Sequence, residues 1–238
     1  MAIGKMLVSA DTRDQLGGAE GVAAVAACLW PGDCQTCGRV LGQDPPALCV
    51  DDLSEFAYAS VHHPACRAPG WNDSSSIATT SRPLVSHRTR LVMLPMADGG
   101  KRELVPVMVI NPALESVFLA PGQDGRWRPE TSATFTALGL VPPGPDLKLD
   151  QPVSGAYAGL TGAAVVITLT IAPFDSYACD LAPGDAPFHR EITSQRGILM
   201  AVTQAVDPAS AGLVSQFQQA LRQRNLLCGW VALRDDSK

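Results

Sequence analysis

The chain has 238 residues, 46% of them apolar and 17% charged, with four Trp, three Tyr and six Phe. At about 150 residues per domain this allows one or two domains with a sizeable aliphatic core, and it excludes wholesale disorder. Eighteen basic against 23 acidic side chains give a net charge of −5, which weighs against a general nucleic-acid binder and against a polybasic membrane-surface protein.

In chain order, the first fifteen residues carry one Lys and only a short apolar run before Asp11, Arg13 and Asp14. No secretory signal is expected from that pattern. Gly21 to Trp30, GVAAVAACLW, is too short to span a bilayer and predicts a buried helix stopped by Pro31-Gly32. The polar, low-bulk stretch 74–81, SSSIATTS, reads as a linker. It separates an N-terminal helix plus metal-binding module over 1–73 (its core about 15–73) from an α+β domain over 82–238.

Beyond the linker, Arg90–Met96 and Glu103–Ile110 flank Asp98-Gly-Gly and predict a hairpin, with Pro95 and Pro106 at edges or bulges. Ser116–Ala120 predicts a third strand, and Pro129–Leu138 a short helix closed by Gly139. The uncharged run Gln151–Phe174 raises the transmembrane question. Its glycines and prolines, and the alternation of Val165, Ile167, Leu169 and Ile171 with Val166, Thr168 and Thr170, favour a strand instead. Gly155–Gly162 has no phosphate-loop spacing and reads as a turn or close strand packing. At the end, Gly197–Thr203 predicts a strand and Asp207-Pro208 a helix start. Leu213, Val214, Phe217 and Leu221 predict a helix face, and Leu226–Leu233 a returning strand. The fold class expected is α+β: a small metal module, then a mainly antiparallel β domain with a C-terminal strand–helix–strand.

Seven cysteines in a chain with no export signal point to metal binding or simple burial in a reducing, cytoplasmic setting. Fourteen Arg against four Lys, with abundant Ala and Pro, fit a GC-rich bacterial genome. Four side chains stand out: Cys34, Cys37, His63 and Cys66 are spaced C-x2-C-x25-H-x2-C. Two close pairs of thiolate and imidazole donors are what tetrahedral zinc requires. Gly38 suits a knuckle, Val40–Leu41 and Leu48–Val50 a hairpin, and His63 and Cys66 one helical turn. His62 is the rival to His63, and Cys49 reads as a small core residue.

Over residues 32–72 this pattern resembles the treble-clef zinc fingers, in ligand order and loop length the LIM and PARP types. Pro64 directly after His63, and Pro69-Gly70 where the final helix would run, depart from them. The resemblance implies a structural Zn2+ held by Cys34, Cys37, His63 and Cys66, on a surface that contacts nucleic acid or protein. Five acidic against two basic residues over 28–72 favour protein over nucleic acid. A closed site leaves no position for water or substrate, so no catalysis is expected, and a role through protein–protein contacts, as a regulatory or assembly component, follows. No membrane association is expected.

Two enzyme readings compete. His-metal (HNH-like) treble-clef nucleases also carry a knuckle, a hairpin and a His-His pair; that resemblance implies His62 activating water, Asn72 orienting it and His87 helping to hold a cation. Separately, Cys179 and His189 with a nearby Asp have the residue types of a nucleophile, base and orienter. A buried Cys and an exposed loop His are the simpler account, since no family motif surrounds them.

Overall fold

The computed structural model describes residues 5–29, 33–78, 89–98, 101–112, 116–144, 151–161, 164–170, 176–181 and 183–234. Among these the fold is α+β, with three mostly antiparallel sheets. The chain divides into two compact units: Met1–Leu84 with Pro112–Thr131, and Val85–Asn111 with Ser132–Lys238.

The first unit opens with two short helices, α1 (Ala10–Gln15) and α2 (Ala19–Cys28). Ser9 caps α1, its hydroxyl accepting from the Thr12 amide at 3.0 Å. Its sheet has the order β3-β1-β2-β6-β7, built from β1 (Ala47–Asp52), β2 (Ala57–His62), β3 (Gly70–Asn72), β6 (Val117–Pro121) and β7 (Trp127–Pro129). β1 and β2 are central, so both of their faces are covered, and their near-continuous burial reflects that. On one face Leu48, Val50, Ala59, Val61, Val117 and Leu119 form a core with Leu16, Val25 and Leu29. The other face carries Phe56, Tyr58 and Phe118 in mutual ring contact, with Ser60 and Asp51 on the same side.

Three expectations for this unit change. The N-terminal helix buries only Val25 among its own residues, because it lies against the sheet on one side instead of inside the core. Val40 does not pair with 48–50; it bridges Asp33 to close the knuckle, and β1 pairs with β2 from Ala47↔His62 to Asp52↔Ala57. After Cys66, as Pro69-Gly70 imply, the final helix is cut to a turn, and the chain then enters β3, parallel to β1. The sequence puts all of 82–238 in one domain, whereas β6 and β7, from inside that span, extend the first unit's sheet through Ala57↔Leu119 to Ala59↔Val117.

The second unit contains two sheets. One has the order β12-β11-β5-β4, from β4 (Thr89–Asp98), β5 (Lys101–Ile110), β11 (Gly197–Val202) and β12 (Leu227–Ala232). The other has the order β10-β9-β8, from β8 (Ala156–Leu160), β9 (Ala164–Leu169) and β10 (Ser176–Asp180). They share a core of Met108, Ile110, Ile167, Ile198, Met200 and Val231, closed by Phe135 and Leu138 near α3 (Thr131–Ala137) and Ile192 of α4 (Ala186–Gln195). The sheets also meet at both edges: Thr89 Oγ1 donates to the Ala178 carbonyl, and the Arg234 amide donates to the Ala158 carbonyl at 2.8 Å. On the outer face, Val105, Val107, Val109, Leu199 and Ala201 pack under Leu213, Phe217 and Ala220 of α5 (Leu213–Gln223).

The predicted hairpin forms as β4 and β5, in register from Thr89↔Ile110 to Asp98↔Lys101; its Gly99-Gly100 turn lies outside the described residues. Pro106 sits where β5 has a partner on one side only, since β11 begins its pairing at Val107, so its missing N–H breaks no ladder there. The helix α5 begins at Leu213, six residues after Asp207, because the Asp207 carboxylate accepts from the Ala209 amide (2.9 Å) and makes a local turn. Val214 is 52% exposed and so stands off the helix's buried face. No helix among the described residues is long and apolar enough to cross a membrane.

Candidate metal centre

The knuckle comes first. The Gly38 amide donates to the Cys34 carbonyl (2.8 Å), with Gly38 at φ 69°, a left-handed conformation open to glycine at little cost. The Cys34 amide donates to the Arg39 carbonyl (2.8 Å), and the Gln35 amide to the Val61 carbonyl (3.1 Å), which fastens the knuckle to β2. The second pair follows directly on the end of β2. The amides of Cys66 and Arg67 both donate to the His63 carbonyl, at 2.8 and 3.1 Å, so one turn sets His63 and Cys66 side by side. The hairpin β1–β2 spans the chain between the two pairs and returns it to the knuckle.

These local structures place one ligand atom each of Cys34, Cys37, His63 and Cys66 within 4.8 Å of one another. His63 Nδ1 lies 3.4 Å from Cys37 Sγ and 4.0 Å from Cys66 Sγ. A tetrahedral zinc with bonds of about 2.3 Å to sulfur and about 2.0–2.1 Å to nitrogen needs donor separations of about 3.6–3.8 Å. The two distances bracket that value. On the far side of the ring, His63 Nε2 is 3.0 Å from the Val40 carbonyl. A carbonyl only accepts, so Nε2 donates there and Nδ1 is the nitrogen turned to the sulfurs. The bond to Cys37 raises the imidazole above its usual range. An ion bound at Nδ1 would take the place of the proton there, with Val40 as the outer-shell partner that orients the ring.

The electrostatics fit a cation as well. Burial pushes the Cys34 thiol up, but the amides of Cys37, His63 and Thr36 outweigh it and bring it below its usual range. The backbone and guanidinium of Arg39 lower Cys37 to about 6. Burial and sharing with Cys37 and Cys34 raise Cys66 to about 11. Three sulfurs this close cannot all ionise without a compensating charge, and a divalent cation at their centre supplies it. The donor set therefore could hold a metal ion.

The rival ligand is elsewhere engaged. His62 is fully buried, its Nδ1 2.9 Å from Thr36 Oγ1 and its Nε2 2.9 Å from Ser60 Oγ. Burial, helped by Arg67, lowers it to about 4, so it stays neutral. With both nitrogens occupied by hydroxyls, it neither joins the cluster nor meets solvent. Asn72 donates to Asp51 Oδ1 and to the Ser76 carbonyl, both at 2.8 Å. The nuclease set is thus split between two structural hydrogen-bond groups, and His87 lies outside the described residues. Cys49 is a buried core residue whose thiol donates to the Ala68 carbonyl at 3.3 Å. The Cys179 thiol, raised by burial, faces the Thr89 and Asp180 carbonyls at 3.8 Å, while His189 is exposed on α4.

A second polar group escaped the sequence. Asp51, 2% exposed, takes both arms of Arg67 (2.6 and 2.9 Å), as well as Asn72 and the Ala78 amide at 3.2 Å. Arg67 directly follows Cys66, so this pair anchors the ligand turn to β1. Asp51 and Arg67 cancel in the charge count, and Asp33, Asp44, Asp52 and Glu55 against Arg39 keep the same net of three negatives over 28–72. Comparison with protein-family models, with curated proteins and with solved structures finds no match to this chain.

Proposed function

We propose that the first unit is a zinc-braced module and that the protein acts through protein–protein contacts, as a regulatory or assembly component. The observation that carries the metal reading is the convergence of Cys34, Cys37, His63 and Cys66 with the His63 ring oriented by Val40. Three thiolates and an imidazole in a tetrahedral spacing favour zinc over harder, oxygen-seeking cations. Knuckle, hairpin and second ligand pair follow one another in treble-clef order, with the final helix reduced to the His63–Arg67 turn. Four protein donors leave no open coordination position, so the ion's contribution is to hold two chain segments together. A binding role is supported by Leu7 and Val40, 42% and 73% exposed, which both line a cleft beside the cluster. The acidic balance of the module favours protein over nucleic acid as the partner.

Metal analysis of the purified chain tests this. One equivalent of zinc is expected, lost in Cys37→Ser and His63→Ala and kept in His62→Leu. Less than half an equivalent, or loss in His62→Leu with retention in His63→Ala, contradicts the assignment.

A further inference from the structure

The cluster is not covered equally on all sides. A cleft of about 700 Å³ opens beside it, and Cys66 lines that cleft with Pro64, Ala65 and Val40. Cys34, by contrast, is 1% exposed. Clefts of roughly 300–1,000 Å³ admit small molecules, so a hydroperoxide has a path to the Cys66 sulfur. The geometry points to a modification site: a hydroperoxide oxidises Cys66 from the cleft, and a knuckle cysteine, Cys34 or Cys37, closes a disulfide onto it and opens the clamp. This rests on the zinc reading above, which supplies the thiolates.

Oxidation of cysteine follows thiolate character and access together. Cys66 combines access with two sulfur neighbours inside 4.8 Å. The other cysteines lack that combination: Cys34, Cys49 and Cys228 are buried, Cys37 is half-buried in the cluster but does not line the cleft, and Cys28 and Cys179 stand outside the cluster. In the first step the Cys66 thiolate attacks the terminal peroxide oxygen; an S–O bond forms, the O–O bond breaks, and hydroxide leaves from hydrogen peroxide, or alkoxide from an organic hydroperoxide. In the second, a knuckle thiolate attacks the sulfenic sulfur; the S–S bond forms, the S–O bond breaks, and hydroxide leaves. Two thiolates each lose one electron, and the peroxide gains two. Two of the four donors are then consumed, and the site no longer binds the ion.

Both sides of the clamp keep a separate tether. The knuckle remains on β2 through the Gln35 amide and the Thr36–His62 bond, and the ligand turn remains on β1 through Arg67 and Asp51. Opening is therefore local, which leaves it reversible by a dithiol.

The test treats the zinc-loaded full chain with hydrogen peroxide, follows release with a colorimetric zinc chelator, and maps disulfides by peptide mass spectrometry. One ion is expected to leave for every two thiols lost, with Cys66 joined to Cys34 or Cys37, and a dithiol plus zinc should restore binding. Cys66→His, which keeps four donors, should lose zinc about tenfold more slowly, because the accessible thiolate is gone; Cys179→Ser should behave as the unsubstituted chain. If Cys66→His does not take up metal, the disulfide map of the unsubstituted chain decides. Retention of zinc under peroxide, or its loss with Cys66 still a free thiol, overturns the proposal. A chain that holds no zinc before peroxide is added overturns the metal reading and this one together, and is recognised at that earlier step.

Discussion

At the residue scale, the pair that most constrains the first unit is Asp51 with Arg67. A carboxylate buried in a central strand is tolerated because two guanidinium arms, Asn72 and the Ala78 amide satisfy its oxygens. Burial raises the Asp51 carboxyl, but Arg67 and Asn72 outweigh it and hold it below the usual range. Its contribution to stability is thus present above the ordinary carboxylate pKa of about 3.9 and is lost as the pH falls through the lower native value. Asp51→Ala strands Arg67 without a partner and should cost about 3–5 kcal/mol near neutral pH. In urea titrations the deficit should begin to narrow below about pH 4, where the unfolded chain's carboxyl takes up its proton, and close as the pH falls through the lower native value. A deficit that does not change with pH would contradict the pairing. The four clustered ligands were legible in the sequence because two close Cys/His pairs are an unusual spacing. Asp51 was not: nothing in ALCVDD distinguishes a buried acid from a surface one until Arg67 and Asn72 are brought across to it.

Elements show the same division between local and long-range information. The β4–β5 hairpin, α3 before Gly139, and the closing strands β11 and β12 are written in nearby periodicity and turn residues, and they form where the sequence puts them to within a few residues. The start of α5 was misplaced because Asp-Pro suits a turn as well as a helix start, and only the Asp207–Ala209 bond tells which. The pairing of β6 with β2 depends on a partner nearly sixty residues away in sequence, from Ala59 to Val117, and no local pattern encodes it. On α5 the structure separates two apolar residues that the helical pattern groups together. Phe217 is 1% exposed under the outer sheet face, whereas Val214 is 52% exposed. Phe217→Ala should cost about 3–5 kcal/mol in denaturant titrations, and Val214→Ser should stay within about 0.5 kcal/mol of the unsubstituted chain. Comparable losses at both positions would show that the helix is rotated.

On the scale of the whole molecule, the two units draw on different sources of stability. The second is held by aliphatic layers on both faces of its four-stranded sheet. The first has a smaller core, and the segments 33–41 and 63–67 meet through side-chain donors and a few hydrogen bonds. A structural zinc contributes apparent binding of about 10–16 kcal/mol in finger peptides, which is comparable with or larger than the roughly 5–15 kcal/mol of net stability of an ordinary domain. On the zinc reading proposed above, the acid-rich, thiol-rich module depends on the ion in a way that the aliphatic unit does not. Hydrogen exchange of the intact chain, read by peptide mass spectrometry with and without a zinc chelator, separates the two directly. Chelation should abolish protection across 33–41 and 63–67 and leave the peptides of β2, β5, β11 and β12 unchanged; protection of 33–41 and 63–67 that is indifferent to the chelator would contradict a metal clamp.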